Sequence, residues 1–100
     1  MRIFSISTLS EFWGEHPDSE IPLRTWITVT RAASWANATD VLATFNSASP
    51  IPNDRVVFNI GGNNFRLIAA MKYERATVFV KFLGTHAAYD KVEATTVSLY

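Results

Sequence analysis

Near Arg55 the hydrophobic pattern changes its period, and that change constrains the fold more than any other feature of the sequence. Before it, Leu9, Phe12, Trp13 and His16, then Leu23, Trp26, Ile27 and Thr30, recur at the three- and four-residue intervals that line one side of a helix. After it come runs rich in Val, Ile and Phe whose side chains alternate as on strands: Arg55 to Ile60, Asn64 to Tyr73 and Thr77 to Leu83. Gly61-Gly62-Asn63 tolerates the positive φ angles of a hairpin turn between the first two, and Glu74-Arg75 joins the next two. Helices followed by an antiparallel meander make an α+β domain, with the helices packed on one face of a small twisted sheet. The other face is then open for function.

The first half supplies the details. Arg2 to Ser5 reads as a short first strand, and Thr8 with Glu11 forms the T-x-x-E relation of a capping box, so a helix is expected over Leu9 to His16 and ends at Pro17. A second helix is expected from Pro22, with Asp18 and Glu20 at its positive end, although the β-branched run Thr28-Val29-Thr30 also suits a strand. Trp35 to Phe45 reads as a third helical piece started by Asn37 or Thr39, and Asn46 to Asp54, with two prolines, as a loop. Beyond the meander, Gly84 is expected to break the sheet and Thr85 to cap a short helix through Lys91, leaving Val92 to Tyr100 as a tail.

At 100 residues, the chain is expected to be one domain over 1–100, and 48% hydrophobic residues suffice for a core without staples. There is no cysteine, hence no disulfide and no thiolate metal site, which is compatible with a cytoplasmic location. No apolar run nears the ~20 residues of a membrane span, and polar residues interrupt the N-terminus before a signal-peptide core could form. The zero formal net charge excludes a domain that grips nucleic acid by bulk positive charge alone. It also hides an asymmetry. Residues 1–54 carry −3, and residues 55–100 carry +3 through Arg55, Arg66, Lys72, Arg75, Lys81 and Lys91 against three acids.

Strand alternation sorts these cations. With Phe65, Leu67, Ala69, Met71 and Tyr73 facing the core, Arg66 faces away from it. With Val56, Phe58 and Ile60 inward, Arg55 and Asn59 turn outward, and with Val78, Val80 and Phe82 inward, Lys81 joins them. The open face would thus present Arg55, Asn59, Arg66 and Lys81, with His86 just past its end. Guanidinium groups match phosphate oxygens, and an imidazole with an ordinary pKa of ~6.5 moves protons near neutral pH, which together suit phosphodiester chemistry. Two histidines 70 positions apart and no paired acidic motif argue against a dedicated metal site or other cofactor. The three tryptophans and His16 are expected to be structural.

At these residues the sequence resembles a known family. R-V-V-F-N-I-G-G-N-N-F-R-L from Arg55, F-L-G-T-H-A-A-Y-D from Phe82 to Asp90 and S-E-F-W-G-E-H-P from Ser10 are similar to the HigB toxins, RelE-like members of toxin-antitoxin pairs. The resemblance implies a RelE-like fold and metal-independent cleavage of mRNA, usually on the ribosome, by attack of a ribose 2′-hydroxyl on the neighbouring phosphate. It gives Arg66 the phosphate contact and His86 the acid or base, and it implies orienting or leaving-group roles for Tyr89 and Asp90, with Arg55, Asn59, Lys81 and Asp90 expected to contact the RNA or its phosphates. Asn59 lies where related toxins often carry a basic residue. A helix-turn-helix antitoxin is the implied protein partner. Two other readings stay open at this point: a module that binds RNA or the ribosome without cutting, and a degenerate toxin kept only as a partner of its antitoxin.

Overall fold

The computed structural model describes residues 1–100. β1 (Arg2–Phe4) leads directly into α1 (Ile6–Glu15), so the helix starts earlier than expected and Ser5, rather than Thr8, caps it by accepting from the Thr8 amide at 3.4 Å. Pro17 opens a 3-10 turn, Pro17–Ser19, and α2 (Glu20–Ala32) follows. The β-branched run stays helical. Leu23, Trp26, Ile27 and Thr30 are all buried, and burying the three large apolar side chains at about 1.5–3 kcal/mol each outweighs a propensity deficit of at most ~0.7 kcal/mol per residue. α3 (Ala38–Thr44) is capped by Asn37, whose Oδ1 accepts from the Asp40 amide at 3.1 Å.

The strands form one sheet in the order β1-β5-β4-β3-β2, with β2 (Ser49–Ile51), β3 (Arg55–Ile60), β4 (Phe65–Lys72) and β5 (Thr77–Thr85) antiparallel and β1 parallel to β5. Two expectations change. Ser49-Pro50-Ile51 is an edge strand rather than part of a loop, and its proline is tolerated because an edge residue leaves one side of the ladder unused. Gly84 lies inside β5 instead of ending it.

A bulge resets the alternation of β5. Ala69 pairs with Val80 and Ile68 with Phe82, so Lys81 is an extra residue between them. Val78, Val80 and Leu83 therefore reach the helical core, while Phe82, expected there, turns to the other face and joins Val57 and Ile68. That displacement explains Gly84. A Cβ at this position would lie 2.7 Å from Cζ of Phe82, so the ring needs the space that only glycine leaves.

The helices and the inner face enclose the main core, with Trp26 and Trp35 buried against Phe58. The outer face is not wholly open, contrary to expectation. Val92, Ala94 and Val97 from the C-terminal segment cover Val57, Ile68 and Phe82, and the segment is tied down by side-chain and backbone bonds. Asn53 donates to Thr95 O at 3.0 Å, Arg55 to Ala94 O and Val97 O at 3.0 and 2.7 Å, and the Leu99 amide to Lys81 O at 2.9 Å. Residues 92–99 form a strap across the middle of the face. No helix is long and apolar enough to cross a membrane.

Candidate active site

Above the strap, at the end of the sheet where the Gly61–Asn64 turn meets the last residues of β5, three strands place Asn59, Arg66 and Gly84 side by side in register. Arg66 points to the outer face because its neighbours Phe65 and Leu67 are held in the core. Its guanidinium is nearly buried, with 9% of the residue exposed, and it has no carboxylate partner. Nη1 donates to Phe65 O and Nη2 to Oδ1 of Asn63, each at 3.2 Å, and Cζ lies 6.0 Å from the centre of the Tyr89 ring. A guanidinium carries five N–H donors. Two are used, which leaves donors without a protein partner, able to receive an anion. Asn63, a turn residue in the sequence reading, is thus a contributor that reading missed; its position three residues before Arg66 was the available signal.

The second component is α4 (His86–Tyr89), a single turn capped by Thr85, whose Oγ1 accepts from the Ala88 amide at 3.1 Å. It ends before Lys91, short of the expected length, because after the Asp90 amide's bond to His86 O the bonds shorten to three-residue turns, Lys91 to Ala88 O and Val92 to Tyr89 O, each at 3.2 Å. The His86 amide donates to Asn64 O at 3.1 Å, which pins the imidazole's backbone to the start of β4, two residues from Arg66. His86 and Tyr89 are three positions apart on the turn, so they share a side. The Tyr89 ring packs on Phe82 with centroids 6.4 Å apart and faces the Arg66 guanidinium. On the other side, Nδ1 of His86 lies 3.2 Å from Oδ2 of Asp90, with both side chains about half exposed. An imidazole held through Nδ1 turns Nε2 to solvent and to any substrate.

The seven expected site residues therefore divide. Arg66 meets Tyr89, His86 meets Asp90 on the same short turn, and Asn59 lies beside Arg66, although its side-chain amide donates to Ser47 O at 3.3 Å. Arg55 does not join them: its guanidinium is spent on the strap carbonyls. Lys81 does not join them either, because the bulge places it beyond Phe82, with Nζ 5.8 Å from the Phe79 ring centre. Asp90 is no phosphate ligand in this geometry, since its carboxylate faces the imidazole and an anion would be repelled by it. No three or more His, Asp or Glu side chains gather where a metal ion could be held. His16 is structural, as expected, stacked on Phe12 with centroids 4.3 Å apart.

The molecule is a small α+β protein with a five-stranded sheet, helices over one face and, at one end of the opposite face, an arginine without a carboxylate partner and a short turn that carries an imidazole. A family model described as HigB toxin, RelE-like toxic component of a toxin-antitoxin system, matches residues 19–92. The chain belongs to that family. It is also similar to the mRNA interferase HigB of Escherichia coli O6:H1, at 27% identity over 94 residues, which span 92% of this chain and 91% of the relative.

Proposed function

We propose that the chain is the toxin of a toxin-antitoxin pair and cleaves mRNA on the ribosome, with residues 1–100 acting as one cytoplasmic domain beside a helix-turn-helix antitoxin. The observation that carries the chemistry is the nearly buried Arg66 guanidinium, free of any carboxylate and one residue layer from the His86 turn. In this reading Arg66 binds a non-bridging phosphate oxygen through its unused N–H donors and offsets the charge that grows on the phosphorus centre. Nε2 of His86 removes the proton from the ribose 2′-hydroxyl, whose oxygen attacks phosphorus. The bond to the 5′ oxygen breaks, and the Tyr89 hydroxyl returns a proton to the leaving group. The products are a 2′,3′-cyclic phosphate and a 5′-hydroxyl, and no metal or other cofactor takes part in these steps. Asp90 holds the imidazole in the tautomer that leaves Nε2 free, the part played by a carboxylate behind a catalytic histidine. Asn59, level with Arg66, lines the path of the RNA.

Mapping transcript 5′ ends after induction, with and without translation, tests this. Cuts inside translated frames that vanish when translation is blocked are expected. Breaks scattered through untranslated RNA contradict the ribosome-dependent part, and normal growth with intact transcripts contradicts the activity itself.

A further inference from the structure

Below the strap the outer face carries a second set of residues that the chemistry above does not use. Phe4 and Phe79 are paired in register between β1 and β5, and their rings stack at 5.4 Å and 15°. Phe4 remains 44% exposed even with the Arg2 guanidinium over it, Cζ standing 5.2 Å from the ring centre. At the other end of the stack lies the Lys81 ammonium. One row further along, Lys72, Thr77 and Arg2 are in register across β4, β5 and β1, so the two cations lie two strand spacings, or about 10 Å, apart on the same face. Arg2, Lys72 and Lys81 make no ion pair and no side-chain hydrogen bond, although Glu74 follows Lys72 by two residues and Glu11 and Glu15 lie by Tyr100, next to the Leu99 amide that donates to Lys81 O.

We propose that this aromatic pair and its three cations form a binding site for single-stranded RNA, in which a base packs on the exposed part of the Phe4 ring, backed by Phe79, while Arg2, Lys72 and Lys81 neutralise the flanking phosphates. Exposed apolar rings alone would equally suit a protein. Three unpaired cations around them favour a polyanion, and stacking on an aromatic platform beside a basic track is how single strands are held without sequence preference. Lys81 shares the face of Phe79, two residues before it on β5, and its ammonium lies by that ring. The inference shares RNA as ligand with the proposed function but not the cleavage step.

The test uses the whole chain and a short oligoribonucleotide with 2′-O-methyl sugars, which cannot be cut by 2′ attack, and reads Kd by fluorescence anisotropy. Phe4→Leu is expected to weaken binding about tenfold, within the range of one lost stack, and to change nothing for an oligomer with abasic sugars. Lys72→Gln and Lys81→Gln are each expected to lower the salt slope of binding by about 0.7, one phosphate contact on a single strand. These two variants decide the question if Phe4→Leu disturbs the docking of β1. Wild-type affinity and salt slope in all three overturn the proposal, and so does loss of antitoxin binding with RNA binding intact, which assigns the face to a protein. Binding that depends on Phe4 in a chain that cuts no mRNA on translating ribosomes leaves this site standing and removes the cleavage reading instead.

Discussion

Arg66 and Gly84 face each other across the β4–β5 ladder, and the glycine's missing side chain is filled from its own strand by the ring of Phe82. That ring also supports Tyr89, which faces the guanidinium. The candidate site therefore rests on a packing choice two residues away from it.

Gly84→Ala tests this support. The added Cβ meets the Phe82 ring at 2.7 Å, so ring and α4 must shift. Overpacking of this kind costs ~1–3 kcal/mol, and the measured Tm should fall accordingly. RNA cleavage should fall as well, because Tyr89 moves with the ring.

Replacing Asp90 by Asn should lower kcat on the order of tenfold with little change in KM, since the carboxylate orients the imidazole and leaves the bound RNA untouched. A variant that mainly raises KM would return Asp90 to a role in RNA binding.

Arg55→Ala should loosen the strap. It removes two hydrogen bonds from a guanidinium to backbone carbonyls and leaves them without that donor, a loss of roughly 1.5–3 kcal/mol in local stability. Hydrogen exchange should quicken at the Leu99 amide, while Arg66 and α4 keep their protection.

Thr30→Val should leave stability unchanged or raise it by up to ~1 kcal/mol. The Thr30 hydroxyl is fully buried and has no partner, so an apolar group of the same shape relieves an unpaired oxygen. A clear drop in Tm would mean the hydroxyl has a partner in solution.

Two tyrosines contribute to the loss of stability at alkaline pH. Tyr73 is raised above its ordinary value by burial and then by Asp54 and Asp40, and Tyr100 by burial and then by Glu11 and Glu15. Each folded-state pKa lies above the unfolded one, so the fold binds these protons more tightly. The contribution is complete below the ordinary value of ~10 and is lost as pH rises through the raised values. Tyr73→Phe and Tyr100→Phe should each flatten the fall of Tm above that pH.

Much of this was legible in the residues. The alternation of Phe65, Leu67, Ala69 and Met71 fixed the direction of Arg66, and G-T-H at the end of the last strand located the imidazole. Three features were not readable by the same rules. The bulge at Lys81 inverts the alternation at one residue and leaves no mark in composition. Pro50 and Pro52 disguise a strand that survives because it is an edge. The strap has no period of its own. Its trace lay elsewhere, in Val57 and Ile68, apolar side chains on a face read as polar, which needed a cover.

The central claim is that Arg66 and His86 act on one phosphate. A double-mutant cycle on mRNA cleavage by the purified chain added to translating ribosomes tests it most directly. Arg66→Ala and His86→Ala should each reduce the rate by about 10²–10⁴-fold with the fold intact, and the double variant should lose little more than the worse single one, as groups that act as a unit do. Losses that multiply, or a His86→Ala chain that cuts at the wild-type rate, contradict it.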